Sequence, residues 1–153
     1  MPALLPDPAH FKVKVDIEVR WGDMDALGHV NNARYLTFFE TARIAYLEMG
    51  DASVVLTRDG LTPILARTEI DYLRPVEYPA TLTACVRCVR LGTTSMECEH
   101  LVLDKKSGEA VAVGKAVLVM FDMVKRTKTP VPESMRRKIR EIDGVGTESV
   151  RAR

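Results

Sequence analysis

The residues best suited to chemistry gather in one short stretch. Asp23 and Asp25 lie two positions apart, followed by Gly28, His29 and the pair Asn31-Asn32, immediately before a long apolar run. A helix beginning there presents unpaired backbone N–H groups and the positive end of its dipole, which suits the oxyanion formed when an acyl carbonyl is attacked. A carboxylate beside those donors completes an acyl-transfer site. Asp25 can act as general base on water, or as nucleophile toward a thioester carbonyl, giving a mixed anhydride that water then opens. Spacing does not separate the two routes. Asp and Asn before a helix also serve as plain caps, and judged on spacing alone capping is the commoner use. His29 has no partner in sequence and reads first as a loop histidine, with base or substrate contact as the alternatives.

The element that must position these groups is the helix behind them. Residues 32–49 hold no Pro or Gly, are rich in helix formers, and span about five turns. Arg34, Thr37, Thr41 and Glu48 form one narrow polar stripe, while Tyr35, Leu36, Phe38, Phe39, Ala42, Ile44, Ala45, Tyr46, Leu47 and Met49 cover most of the remaining circumference. Such a helix is expected to be wrapped rather than docked on one side. Glu40 and Arg43 fall outside the stripe, three apart, which suits an ion pair within the chain or across subunits. Glu40 lies about 12 Å beyond the helix start, far for direct chemistry.

Strands account for most of the rest. Residues 11–21 alternate strictly, with Phe11, Val13, Val15, Ile17, Val19 and Trp21 on one face and Lys12, Lys14, Asp16, Glu18 and Arg20 on the other, as in a half-solvated antiparallel strand. Gly50 stands where a helix stop is expected, and 51–60 reads as irregular with a turn at Asp59-Gly60. A second alternation runs from Pro63 to Leu73. Residues 80–91 and 94–103 form a hairpin across Gly92, which sets Cys85 opposite His100 if the loop has two residues. Residues 109–122 are apolar on both faces and read as a central strand. Pro132-Glu133-Ser134 opens a short helix over 135–142, whose Arg136, Arg137, Lys138 and Arg140 are expected to line a solvated face, and 143 onward reads as a frayed tail. The order is strand, long helix, then four strands in meander. That is α+β, with a sheet curled around the helix.

Composition narrows the function classes. A chain of 153 residues with 46% hydrophobic and 28% charged residues is expected to be one domain with a real core. A net charge of +1 gives no field for nucleic acid, and the Lys125–Lys128 and Arg136–Arg140 clusters are short. Either cluster could meet phosphate groups. No run of eighteen apolar residues occurs and the opening MPALLPDPAH lacks a signal-like pattern, so the expectation is a cytoplasmic protein without a membrane span. Cys85 and Cys88 have a CxxC spacing, but on a strand they face opposite ways. With His10, His29 and His100 scattered, no metal or cofactor is expected.

The run VRWGDMDALGHVNNARYLTFFETAR resembles the signature of the hotdog-fold acyl-CoA thioesterases of the 4-hydroxybenzoyl-CoA thioesterase type, and IDYLRPV and RLGTTSMECEH are similar to that family's later blocks. The resemblance spans about residues 11–125, leaving 126–153 as an extension with the short helix and tail. It implies a five-stranded antiparallel sheet around a long central helix, sheets joined between two subunits, and active sites at the subunit interface. The family's catalytic carboxylate falls on Asp25. Its backbone oxyanion donor falls near Asn32, and His29 and Asn31 belong to the HVNN variant, which resembles the long-chain acyl-CoA and acyl-carrier-protein branches. Some relatives carry His where this chain has Asn32, so an imidazole is closed to it there and the Asn31 or Asn32 amide is the candidate substitute for placing water. Asp23 matches a position that is often acidic but not catalytic.

The expected function is hydrolysis of an acyl-CoA or acyl-carrier-protein thioester to free acid and thiol, by a homodimer or homotetramer. The alternative is a hotdog module that binds acyl thioesters without cleaving them. A hydratase or dehydratase fits less well, because the Asp25 to His29 spacing does not match the acid and His pairing of those branches.

Overall fold

The computed structural model describes residues 4–49 and 60–145. The Gly50 helix stop, the irregular stretch 51–59 and the tail beyond 145 lie outside the described residues. The elements are β1 (Val13–Glu18), α1 (Arg34–Glu48), β2 (Leu61–Tyr72), β3 (Thr81–Leu91), β4 (Ser95–Asp104), β5 (Ala110–Asp122), β6 (Thr127–Lys128) and α2 (Glu133–Asp143). All pairings are antiparallel, in the order β1-β3-β4-β5-β2, with the two-residue β6 added beside β5. Five long strands curl around α1, which is the expected α+β hotdog arrangement.

The strands are not in simple meander order. β2 pairs with β5 rather than with β3, and β1 takes the place beside β3. The connection 73–80 permits this. About eight extended residues reach up to about 26 Å, whereas three strand spacings need only about 14 Å. The β3–β4 register also differs from the expected one. Leu91 faces Met96, and a bulge between Cys88 and Arg90 shifts the pairing, so Val86 rather than Cys85 stands opposite His100. One extra residue at a bulge is invisible to alternation counting.

The inward faces of β3, β4 and β5 meet α1 through Tyr35, Phe38, Phe39, Ala42 and Tyr46, all buried. Phe39 is the centre of this packing. Its ring stacks on His100 at 4.3 Å between centroids, with 7° between planes. Behind it, a Cβ on Gly114 would lie 2.6 Å from Phe39 Cε2 and 2.3 Å from the Glu69 carbonyl oxygen, so only glycine lets the strand approach this closely. Cys85 faces the outer cluster with Phe11 and Leu101, while Cys88 and Cys98 face inward; all three are free and buried.

The sheet curls over one side of α1, and Leu36 (42%) and Ile44 (37%) on its other side are exposed in the described chain. Three details of side-chain placement differ from expectation for identifiable reasons. Trp21, assigned by alternation to the buried face, is 74% exposed because β1 ends at Glu18 and residues 21–23 form a 3₁₀ turn that rotates it outward. Arg43 reaches His100, 3.4 Å away, and among the described residues makes no ion pair with Glu40 within 4 Å. α2 is also less solvated than its charges suggest. Met135, Ile139 and Ile142 join the core, and the Arg136 guanidinium donates to the carbonyls of Gly92 (2.5 Å), Thr93 (2.7 Å) and Val131 (3.1 Å).

Candidate active site

Asp23 anchors the loop between β1 and α1. It is 1% exposed and accepts from the Arg20 N–H (2.8 Å) and the Arg20 guanidinium (3.0 Å), with Arg34 Nε 3.6 Å away. Burial pushes this carboxyl up, but the two Arg20 bonds and the charges of Arg20 and Arg34 outweigh it, holding the group below its ordinary value. Asp23 thus ties the end of β1, the 3₁₀ turn and the first turn of α1 together. Its backbone carbonyl accepts from the Asn31 N–H (2.9 Å), and the Val30 N–H reaches the Val76 carbonyl (2.8 Å), fastening the loop to the β2–β3 connection.

Within this frame residues 25–29 close into a compact turn. The Gly28 N–H donates to the Asp25 carbonyl (3.0 Å) and the Asp25 N–H to the His29 carbonyl (3.1 Å), with Gly28 at φ +83°. The Asp25 side chain is held at both oxygens. Oδ1 accepts from the Leu27 N–H at 2.9 Å and Oδ2 from the Asn31 amide at 3.2 Å. The other end of that amide, Asn31 Oδ1, accepts from the Ala33 N–H at 2.9 Å and so caps the helix start. One side chain therefore links the carboxylate to α1.

Asn32 follows, exposed, in the turn that leads into Arg34. Among the described residues its N–H donates to no protein group, while its carbonyl accepts from the Tyr72 hydroxyl at 3.0 Å and from the Tyr35 N–H at 3.4 Å. This places an unused backbone donor one residue beyond the side chain that holds Asp25. Asn32 and Asp25 are both exposed, one offering an anion-stabilising N–H and the other an acceptor carboxylate.

His29 goes elsewhere. Its Nε2 lies 3.5 Å from Glu77 Oε1, and no hydrogen bond joins its ring to Asp25 among the described residues. Of the four residues singled out from sequence, Asp25 and Asn31 touch, Asn32 stands next to them, and His29 leans on the β2–β3 connection. Tyr72 and Glu77 were missed, because both depend on the strand whose place in the sheet the alternation did not reveal. Tyr72 did carry a signal, standing in IDYLRPV at the end of an alternating run.

Asp25 is exposed in the described chain. Four concavities of about 230 to 400 Å³ among the described residues are lined without Asp25. Among the described residues no three His, Cys, Asp or Glu side chains are grouped to hold a metal ion, and no helix is long and apolar enough to cross a membrane.

Known proteins match both the chain and the fold. The long-chain acyl-CoA thioesterase FadM of Escherichia coli K12 is 27% identical over 130 residues, covering 85% of this chain and 98% of its own. A thioesterase from Thermus thermophilus, solved with coenzyme A and Zn, is 39% identical, with a TM-score of 0.78 over 90% of this chain and 98% of its own. The PA2801 protein of Pseudomonas aeruginosa is 35% identical, with a TM-score of 0.77 over 84% of this chain and 98% of its own. With a curled sheet around a long helix, a carboxylate at that helix's mouth, and the sequence profile of the thioesterase-like superfamily matched over residues 19–139, the chain belongs to that superfamily.

Proposed function

We propose that this protein hydrolyses acyl-CoA thioesters, consuming one water and releasing a free acid and the coenzyme A thiol. The observation that carries the reading is that Asn31 holds the Asp25 carboxylate through Nδ2 and the Ala33 N–H through Oδ1, while the Asn32 N–H between them has no protein partner among the described residues. Asp25 takes a proton from water as that water attacks the carbonyl, or itself attacks and is released by water in a second step. The Asn32 N–H receives the oxyanion in either case, aided by the dipole of α1. Asn31 holds the carboxylate in place. His29, leaning on Glu77, belongs to the substrate-contacting rim rather than to the proton path. The carrier is coenzyme A in this reading, supported by the names of the E. coli relative and the T. thermophilus structure; an acyl-carrier protein presents the same thioester.

A second copy of the chain completes the site. Among the described residues β2 is a long edge strand with no strand on its outer side, and Ile64, Leu65 and Tyr72 on it are exposed together with Leu36 and Ile44 of α1. Joining two β2 edges would cover this apolar surface and wall the space in front of Asp25, in a homodimer or a homotetramer built from it. Residues 1–153 act as one domain, located in the cytoplasm.

The test is a panel of acyl-CoAs offered to purified protein, with free thiol measured. Turnover is expected, and Asp25→Asn should lower it about 100-fold or more. Unchanged turnover in that variant removes Asp25 from the reaction. Saturable acyl-CoA binding with no thiol release would instead favour the module that binds without cleaving.

A further inference from the structure

We propose that Tyr72 is a positioning residue that holds the Asn32 peptide in the orientation an oxyanion donor needs, an inference resting on the thioesterase reading above. The Asn32 N–H lies in the preceding peptide, between Asn31 and Asn32, and is steadied through the shared Cα by the following one, between Asn32 and Ala33. The preceding one is fixed by the Asn31 carbonyl, which accepts from the Arg34 N–H at 2.9 Å. The following one is held at its Ala33 N–H by Asn31 Oδ1 at 2.9 Å, but its Asn32 carbonyl receives from the helix start only the Tyr35 N–H at 3.4 Å, a long bond. The Tyr72 hydroxyl donates to the same carbonyl at 3.0 Å. It is the shorter of the two bonds to that carbonyl, and it comes from the sheet rather than from the loop or the helix.

The tyrosine is itself held. Its ring stands edge-on to Tyr35, 5.3 Å between centroids and 82° between planes, and Tyr35 is buried against Phe38. At 49% exposure Tyr72 contributes little to the core, so the hydroxyl can be removed without emptying a cavity. Ring and hydroxyl therefore have separable roles. The ring docks on α1, and the hydroxyl fixes a carbonyl at the helix entrance.

Tyr72→Phe keeps the ring and deletes the hydroxyl. The experiment measures the order parameter of the Asn32 amide by ¹⁵N relaxation in the wild type and the variant, together with kcat and KM for an acyl-CoA and the melting temperature. The expected result is a drop in order at Asn32, a fall in kcat of about 3- to 10-fold, as one neutral hydrogen bond supports, a KM within about twofold, and a nearly unchanged melting temperature. An unchanged order parameter at Asn32 overturns the proposal, whether or not the wild type is active. So does an unchanged kcat, or a parallel collapse of kcat, KM and melting temperature. A drop in order at Asn32 in a protein that releases no thiol would keep the brace and sink the thioesterase reading instead.

Discussion

The phenol of Tyr46, in the last turn of α1, donates to Oδ2 of Asp143, the last residue of α2, across 2.5 Å. The same oxygen accepts the Cys88 N–H at 2.9 Å, at the bulge of β3. One carboxylate thus joins the central helix, the sheet and the C-terminal helix at the end of the molecule away from Asp25.

Asp143→Ala leaves two donors without an acceptor, one of them on a buried tyrosine, and should cost about 3 kcal/mol, whereas Tyr46→Phe should cost only about 1 kcal/mol. Urea unfolding distinguishes the two. The link also has a pH signature. Burial, then the Asp143 bond and charge, push the Tyr46 phenol far above its ordinary value. The folded chain keeps that proton while the unfolded chain loses it, so the contribution is complete below about pH 10 and is lost as the pH rises further. Tyr46→Phe should flatten the alkaline limb of the stability curve; an unaltered limb would show that other groups govern it.

Arg43 and His100 form a second buried relationship, with the opposite sign in pH. The guanidinium lies 3.4 Å from His100 Nε2, and with Nε2 accepting, the proton sits on Nδ1, which has no partner among the described residues. Burial and then the Arg43 charge push the imidazole down to about 3. The unfolded chain binds a proton below about pH 6.5 and the folded chain does not, so stability should fall from there toward pH 3 by up to about 1.4 kcal/mol per pH unit. His100→Phe should remove that acid loss but strip Arg43 of its acceptor, costing about 2 kcal/mol at pH 7. Adding Arg43→Met should restore most of it, because a buried polar pair is replaceable by apolar side chains when both members go. Denaturation of the wild type, His100→Phe and the double variant at pH 7 and pH 4.5 checks this; a double variant no more stable than His100→Phe would mean that Arg43 has other acceptors.

What the sequence discloses here is whatever depends on near neighbours. The buried face of α1 at Tyr35, Phe38, Phe39, Ala42 and Tyr46 follows from a period of 3.6, and the exposed Lys12, Lys14, Asp16 and Glu18 from a period of 2. The position of β2 depends instead on where a connection crosses the sheet, and the hairpin register on one bulge residue, Val89. Neither leaves a local pattern. Arg136 shows the same limit from the side of charge, since a basic residue among basic neighbours reads as solvated until the hairpin carbonyls it binds are known. At the candidate site the residue types were legible. The double use of Asn31, the turning of His29 to Glu77 and the arrival of Tyr72 from the far strand required the fold.

Asn31 permits the sharpest test of the site, because its two ends do different things. Oδ1 caps the Ala33 N–H and Nδ2 donates to Asp25. Asn31→Asp keeps an acceptor for the cap, at a helix N-terminus that favours negative charge, but replaces the donor with a second carboxylate about 3 Å from Asp25. Two carboxylates that close do not both ionise readily. The acid limb of the kcat/KM profile for an acyl-CoA should therefore move up by about 1 to 2 pH units, with activity recovering toward pH 9 once both groups are charged. Asn31→Ala loses cap and donor together. It should lower stability by about 1 kcal/mol and reduce turnover at every pH, without displacing the limb. Profiles from pH 5 to 9 on the two variants separate electrostatic coupling from loss of support. A limb that stays in place in Asn31→Asp would mean that the Asp25 carboxylate is not the group whose ionisation sets the rate.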